Sequence, residues 1–304
     1  MSSSSSIVSP SVSVAVAQFA AVADVSANLQ TIERLAEKAR AGGADVAVFP
    51  EASMYAFTAP AEELAAVARR DGKNFEQTLL AIARRIGITL VVGMYSDGGE
   101  PLSRNTFIVA GADGTIRGRY EKLHLYDAFH YQESGKNERA PLRENFAELC
   151  TFDLGGLRFG VMNCYDLRFP EMARVLIDRG ADILLLGAGW VAGPLKELHW
   201  ETLIRARAIE NTCYVAAACQ PAPLSVGLSM IVDPSGLIAT TVVGDEGVTV
   251  ATLEAGRLQE VREVLPCLQH RRYAVVPATE RAHEVSLAPR EAVSTPKHIV
   301  EKVQ

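Results

Sequence analysis

The chain has 304 residues, of which 48% are hydrophobic, enough for one large α/β domain or two ordinary ones. Its formal net charge of −6 and isoelectric point of about 5.6 argue against nucleic acid or an anionic membrane as a partner. The five cysteines form no CxxC pair, and no apolar run approaches the roughly 18 residues that span a bilayer. No signal peptide is recognisable, so we expect a cytoplasmic protein that binds neither nucleic acid nor membranes.

Strand and helix patterns alternate along the first half of the sequence. Valine-rich or alternating apolar runs predict strands, and apolar residues at helical spacing predict helices. An Asp113-Gly114 turn indicates a hairpin. The predicted strands are 12–19, 45–49, 88–95, 105–110 and 116–120. The predicted helices are 27–41, 62–70 and 74–86.

The second half repeats the order strand, polar turn, helix, strand. The predicted strands are 152–154, 157–162, 181–186, 214–219, 229–232, 237–243 and 248–253. The predicted helices are 171–179, 196–211 and 254–265. This order predicts two structurally similar halves, each a sheet backed by helices, within one α/β domain over residues 12–270. We expect a disordered segment at 1–11 and, at 271–304, a tail that is loose or packs on a partner subunit.

The first candidate catalytic residue is Cys164, which follows an apolar strand and precedes a polar turn that opens a helix. Backbone N–H groups of the turn and the positive end of the helix favour a thiolate at this position. Free cysteines are more often small buried hydrophobes, as we expect for Cys213 and Cys219. The polar residues Asp166 and Arg168 that follow Cys164 are unusual for a core, so this cysteine is a candidate nucleophile.

Charged residues at strand ends are further candidates. Glu51 follows a buried strand and Pro50, so its side chain is expected at the carboxyl edge of the sheet, although loop glutamates are common. Lys122 lies in a strand-like alternation, where a lysine is usually solvated. The long loop over 126–143 is able to carry Glu133 into a site.

Three motifs in this order carry a resemblance to a known family. They are Phe49-Pro50-Glu51, the segment 120–125 (YEKLHL) and the segment 163–171 (NCYDLRFPE). Together they resemble the nitrilase superfamily of carbon–nitrogen hydrolases over about residues 12–270. Gln132-Glu133-Ser134 and His199-Trp200 are similar to the Nit-type amidases, which include ω-amidase and deaminated-glutathione amidase. The resemblance implies a four-layer αββα sandwich of two halves and a dimer or larger homo-oligomer.

The resemblance also implies roles for matching residues: Cys164 as nucleophile, Glu51 as general base, Lys122 as stabiliser of the tetrahedral intermediate, and Glu133 as an orienting glutamate. Burial raises the pKa of a carboxyl group, which would suit Glu51 to take the thiol proton and return it to ammonia. Lys122 and the backbone N–H of Tyr165 are the expected donors to the oxyanion. A thioester on Cys164 would then be hydrolysed by water, without a metal or cofactor.

Other residues have two interpretations. Tyr55 and Trp190 are candidate pocket walls, with core packing as the alternative. His124 and His199 are able in principle to pair with Cys164 as in papain-like enzymes, but the general base is already assigned, and the histidines lack metal-site spacing. Asp166 and Arg168 are expected to brace the turn as an ion pair, with direct action on the substrate as the alternative.

The predicted function is that of a cysteine-dependent amidase that uses water to cleave a small carboxylate-bearing linear amide. A nitrile hydrolase, or an acyl transferase that uses an amide, is the alternative on the same fold, and a catalytically silent binding protein is a remote one. Ser134, Asn163 and Ala192 depart from the Nit-type pattern, so the sequence leaves the particular amide open.

Overall fold

The computed structural model describes residues 9–277. Segments 1–11 and 271–304 lie mostly outside this range, so the expectations for them stay predictions. In the described part of these two segments, Ser11 is the first residue of the first strand, and Val275 packs against the core of the same chain. Within residues 9–277, none of the helices is both long and apolar enough to cross a membrane.

Two six-stranded sheets form the centre of the molecule. The first has the order β14-β1-β2-β3-β4-β5 and the second the order β13-β12-β11-β10-β9-β8. The strands of the first sheet are β1 (Ser11–Gln18), β2 (Val46–Val48), β3 (Thr89–Asp97), β4 (Ser103–Ala110), β5 (Ile116–Glu121) and β14 (Gly247–Glu254). Those of the second are β8 (Thr151–Leu154), β9 (Leu157–Asn163), β10 (Ile183–Ala188), β11 (Tyr214–Cys219), β12 (Met230–Val232) and β13 (Ile238–Thr241). A small hairpin pairs β6 (Asp127–Ala128) with β7 (Tyr131–Gln132).

The two sheets share one pairing pattern, which confirms the prediction of two similar halves. In the first, the central strands β1, β2 and β3 are parallel, with an antiparallel strand on one side and two on the other. In the second, β9, β10 and β11 are the parallel strands, with the antiparallel strand β8 on one side and the antiparallel strands β12 and β13 on the other. The central strand β2 of the first sheet is therefore equivalent to β10 of the second, and β1 is equivalent to β9.

Side-chain alternation along the strands separates the layers. On β1, Val14 and Val16 belong to the apolar cluster shared by the two sheets, whereas Ala15 and Ala17 face the helices that cover the first sheet. Both faces are buried, which explains the continuous apolar runs in the sequence. The layer order is that of an αββα sandwich.

Helices cover the outer faces of both sheets. They are α1 (Val25–Ala41), α2 (Ala61–Ile86), α3 (Pro170–Asp178) and α4 (Lys196–Asn211). The last helix, α5 (Ala255–Val264), follows β14, and its Arg262 bonds to Asp182 and Thr212 beside the first residues of β10 and β11. The two helices predicted over 62–86 are one continuous helix, α2. Gly72 lies in the gap between the two predicted helices, and a Cβ here would lie 3.3 Å from the Tyr95 carbonyl oxygen of β3. The missing side chain therefore lets the helix pass close to the sheet without interrupting it.

Two glycines allow close approach at the centre. A Cβ on Gly187 of β10 would lie 2.5 Å from the Phe49 carbonyl oxygen in the other sheet, and one on Gly93 of β3 would lie 2.8 Å from the Glu51 Cα. Both positions therefore exclude any side chain. The segment that carries Glu51 is held between the two sheets as a result.

Candidate active site

Strand ends from both halves meet at one edge of the sandwich. Glu51 follows β2, Cys164 follows β9, and Gly189 follows β10. Lys122 comes directly after β5, and Glu133 begins a short 3-10 turn after the β6–β7 hairpin. The structure thus brings together the four residues predicted to be catalytic, all of them around one cavity.

Lys122 lies between two carboxylates. Its Nζ is 2.6 Å from Oε1 of Glu51 and 2.8 Å from Oε2 of Glu133, and its side chain is almost wholly buried. Glu51 and Glu133 are buried as well. The site therefore contains two carboxylates and one ammonium, shielded from water.

Backbone N–H groups fix the outer oxygen of each carboxylate. The amide of Gly189 donates to Oε2 of Glu51 at 2.9 Å, and the amide of Tyr126 donates to Oε2 of Glu133 at 2.7 Å. Each carboxylate thus accepts from both Lys122 and a backbone amide, on separate oxygens in Glu51 and on the shared Oε2 in Glu133. This fixes both the position and the orientation of the two groups.

Sequence reasoning missed Asn105, which joins the carboxylates. Its Nδ2 donates to Oε1 of Glu51 at 2.7 Å and to Oε1 of Glu133 at 3.0 Å. Its Oδ1 accepts from Nδ2 of Asn163 at 2.9 Å, which links β4 to the strand that carries Cys164. The sequence contained a sign of this role, because period-two alternation places Asn105 on the same buried strand face as Phe107 and Val109. A polar side chain on an apolar strand face needs a polar partner.

The charges in this cluster shift the pKa values of the Glu51 and Glu133 carboxyl groups in opposite directions. Burial alone would raise the pKa of Glu51, but the Lys122 ammonium and the Gly189 amide hold it below its ordinary value. Burial raises the pKa of Glu133, and the neighbouring Glu51 charge adds to the rise. Although burial opposes it, the two carboxylates raise the pKa of Lys122 well above its ordinary value. The expectation that Glu51 has a raised pKa was therefore wrong.

Cys164 has a strained backbone. Its φ of 47° lies in the left-handed region, which non-glycine residues adopt at a cost of about 1–2 kcal/mol.

Asp166 holds the turn that follows Cys164. The Asn163 amide donates to the Asp166 carboxylate at 2.8 Å, and the Tyr120 hydroxyl donates to it at 2.6 Å. His124 Nδ1 lies 2.8 Å from the other Asp166 oxygen. Asp166 therefore braces the turn through partners on both sheets.

The predicted ion pair between Asp166 and Arg168 does not form. The Arg168 guanidinium lies 4.7 Å from the ring centre of Trp190, and His199 is within hydrogen-bond distance of it. The expectation was wrong because Asp166 is already occupied by Tyr120, His124 and the Asn163 amide. These contacts also take both histidines away from Cys164.

The thiol of Cys164 is protonated in this setting. Burial and the adjacent Glu51 carboxylate raise the pKa of Cys164 well above its ordinary value, against the opposing effect of Lys122. The expectation of a thiolate favoured by the turn was therefore wrong. A protonated thiol lies beside an ionised carboxylate that is able to accept its proton.

Two small cavities reach Cys164. The first, of about 30 Å³, is bordered by the cluster of Glu51, Lys122 and Glu133. The second, of about 10 Å³, is bordered by Tyr165 and Trp190. Each is comparable to the space that one or two water molecules need. Only a narrow group is able to reach the thiol without movement of the walls.

The two predicted pocket walls have different positions. Trp190 borders the second cavity and is buried, with its Nε1 donating to the Lys196 carbonyl at 3.1 Å. Tyr55 packs in the apolar core beneath the helices of the first sheet, and its hydroxyl donates to Glu63 of α2. The expectation for Tyr55 was wrong, because the chain turns after Glu51 and presents Phe57 to the first cavity instead.

Comparison with known proteins agrees with this fold. The family model "Carbon-nitrogen hydrolase" matches residues 13–263. The chain is 44% identical over 171 residues to deaminated glutathione amidase of Escherichia coli O157:H7, covering 55% of this chain and 62% of that protein. It is 33% identical over 271 residues to deaminated glutathione amidase of Rattus norvegicus, covering 85% of this chain and 82% of that protein.

A solved structure shows the same architecture. It is a mutant of the amidase from Nesterenkonia sp. AN1 with acrylamide added to its active-site cysteine. It superimposes with a TM-score of 0.72 at 26% identity and covers 85% of this chain and 99% of that one. The chain therefore belongs to the carbon–nitrogen hydrolase family. It is an amidase of the nitrilase superfamily and has the predicted αββα sandwich fold.

Proposed function

We propose that this amidase uses Cys164 to hydrolyse a small, carboxylate-bearing linear amide to an acid and ammonia through a thioester. The main support is the position of the buried Glu51–Lys122–Glu133 cluster around the cavity that reaches the thiol. This arrangement has a base, a fixed cation and a nucleophile at one point.

In the first step, the Cys164 thiol gives its proton to Glu51 while sulfur bonds to the amide carbon. The carbonyl oxygen becomes an oxyanion, which Lys122 and the backbone N–H of Tyr165 stabilise. Loss of one such donor typically lowers the rate about 100- to 1000-fold. The low pKa of Glu51 keeps it ionised and therefore ready to accept the proton.

In the second step, Glu51 returns the proton to the amide nitrogen, the C–N bond breaks, and ammonia leaves. The acyl group remains on Cys164 as a thioester. Glu51 then takes a proton from water, whose oxygen bonds to the acyl carbon. The C–S bond breaks, the acid leaves, and the proton returns to sulfur.

Glu133 and Asn105 have positioning roles in this proposal. Glu133 holds Lys122 from the side opposite Glu51, with two contacts of 3.1 and 2.8 Å. Asn105 ties the inner oxygens of the two carboxylates together. A lysine with two fixed partners stays in place while charge moves through the site.

The substrate class is supported by relatives named deaminated glutathione amidase and by the narrow first cavity. A primary amide is the smallest kind of amide group, and it suits such a cavity. The test is ammonia release from 2-oxoglutaramate, a deaminated glutathione-like peptide, glutamine and an aliphatic amide. Added hydroxylamine separates hydrolysis from acyl transfer, because a transferase would form the hydroxamate.

Cys164→Ala tests the nucleophile, and Cys150→Ala is its matched control. Cys150 is equally buried but borders neither of the two cavities, and burial raises its pKa to about 12. We expect Cys164→Ala to lose activity by roughly 10⁴-fold or more and Cys150→Ala to keep it. Full turnover by folded Cys164→Ala would refute the proposal.

We also propose a homo-oligomer that works in the cytoplasm. Exposed apolar side chains on and before α4, Leu195, Leu198 and Ile209, support an interface on this face. All five cysteines are free, which agrees with a reducing compartment. Light scattering on the purified chain tests the oligomer, and a monomer at micromolar concentration would contradict it.

A further inference from the structure

A second buried lysine, Lys196, borders the cavity that Cys164 shares with Tyr165 and Trp190. It is the first residue of α4, and only 4% of it is exposed. Lys196 has no part in the catalytic steps above. A buried ammonium beside a reactive thiol therefore calls for a separate explanation.

The ammonium of Lys196 has little to bond to. Its Nζ donates to the Tyr126 hydroxyl at 2.9 Å, although an ammonium has three N–H donors. Aromatic rings of Tyr126, Phe129 and Trp190 surround it at 4.9, 4.3 and 5.5 Å from their centres. Among residues 9–277, no carboxylate forms an ion pair with it, whereas Lys122 has two.

The surrounding charge is also positive. Arg168 packs against the same indole as Lys196, and burial together with the Arg168 charge lowers the pKa of Lys196. A buried cation without a counter-ion costs free energy, which an incoming anion would offset. The cavity beside Cys164 therefore has a place for an anion that the described chain itself does not fill.

We infer that Lys196 binds the carboxylate of the substrate and so selects amides with a carboxylate remote from the scissile C–N bond. This inference rests on the proposed function and names the residue that sets its substrate class. Monoamides of short dicarboxylic acids have the required chemistry, with the amide at Cys164 and the carboxylate at Lys196.

Entry of a carboxylate requires a wall to move, because this cavity measures about 10 Å³. Phe129 covers Lys196 and is 64% exposed. It belongs to the turn between β6 and β7, where Phe129 and His130 have φ values of 53° and 65°. Asparagine and glycine are the usual residues in such a turn. Phe129 belongs to neither core cluster, so its displacement would uncover the Lys196 ammonium without changing the core.

The test measures binding of glutarate, the dicarboxylate product of glutaramate, to the Cys164→Ala protein by calorimetry. We expect Lys196→Met in this background to weaken binding roughly 10- to 100-fold, because a charge-assisted hydrogen bond is lost. Lys136→Met is the matched control. Lys136 also lies beside a tyrosine ring, bonds to the Phe57 and Ala59 carbonyls, and borders neither cavity. It should leave glutarate affinity unchanged.

A second readout separates recognition from a structural role. With Cys164 intact, Lys196→Met and Lys196→Gln should lower kcat/KM for glutaramate and spare pentanamide, in which a methyl group replaces the carboxylate. An equal fall for both amides, or unchanged glutarate affinity in folded Lys196 variants, would overturn the inference. Lys196→Gln keeps the test valid where Lys196→Met does not fold.

The two proposals fail in different ways. Ammonia release by the unmodified chain, without Lys196-dependent glutarate binding, would refute the role of Lys196 and keep the proposed function. Glutarate binding that depends on Lys196, without ammonia release from any amide, would refute the function and keep the anion site. Failure of the Cys164→Ala protein to bind glutarate at millimolar concentration would also refute the role of Lys196.

Discussion

Nζ of Lys122 lies 2.6 Å from Oε1 of Glu51, and both side chains are buried. This contact lowers the pKa of Glu51 although burial acts in the opposite direction. The carboxylate is consequently ionised next to a protonated thiol, whose own pKa the same carboxylate raises. In the proposed mechanism, the proton transfer that starts the reaction therefore runs from Cys164 to Glu51.

We predict a broad pH plateau for kcat/KM, which reports groups of the free enzyme. The pKa of Glu51 is lowered from 4.5, so the base is ionised at pH 4.5 and above and is lost only as pH falls through the lower folded value. The pKa of Cys164 is raised above 9.0, so the thiol keeps its proton up to that pH. Steady-state kinetics of the Glu133→Gln variant from pH 4.5 to 9.0 check this, because the raised pKa of Glu133 places a second carboxyl titration in this range in the unmodified chain. An acid limb of Glu133→Gln with a midpoint near neutrality would contradict the prediction.

Lys122→Met should destabilise the fold by about 3–5 kcal/mol, because it leaves two buried carboxylates without their cation. The exposed Arg34–Glu246 pair offers a control, since Arg34→Met should cost less than about 1 kcal/mol. Without Lys122, burial raises the carboxyl pKa values above those of the unfolded chain. The loss in the free energy of unfolding that Lys122→Met causes should therefore become smaller as pH falls towards 4.5. Urea unfolding at several pH values measures both effects, and equal losses for the two variants would count against the buried cluster.

Glu51→Gln should separate thiol ionisation from turnover. Removing the negative charge lowers the pKa of Cys164, since Glu51 is one cause of its rise. Turnover should nevertheless fall about 10²- to 10⁴-fold, because the general base is lost. Alkylation rates of Cys164 against pH, with ammonia release on the same samples, test both statements. A Cys164 pKa that stays constant or increases would show that Glu51 does not act on the thiol.

Gly93→Ala should disturb the site through packing alone. A Cβ at Gly93 would lie 2.7 Å from the Ala52 nitrogen and 2.8 Å from the Glu51 Cα, so the Glu51 segment must shift. We expect a loss of about 1–3 kcal/mol in the free energy of unfolding, together with reduced turnover. Gly256→Ala in α5 is the control, because the added Cβ would lie 3.5 Å from its nearest neighbour, Oγ of Ser9, which is an ordinary contact distance. Thermal unfolding and ammonia release that match the wild type would show that the close approach is not needed.

The main elements of the fold could be read from the sequence. Buried parallel strands produce continuous apolar runs, so β1, β2, β9 and β10 were predicted to within a few residues. The paired halves followed from the repeated order of elements. The division of α2 into two predicted helices was wrong, because the local sequence pattern has no information about the Tyr95 carbonyl that Gly72 approaches.

The motifs in the sequence and their order resemble one family, and this resemblance predicted that Glu51, Lys122, Glu133 and Cys164 come together. How these four residues act on one another depends on the folded chain. The signs of the pKa shifts depend on distances of 2.6 to 3.1 Å between residues as many as 71 positions apart. The roles of Asn105 and Lys196 likewise depend on neighbours from other strands and loops. Local propensity reflects the backbone near each residue, whereas charge and burial depend on the whole packed chain.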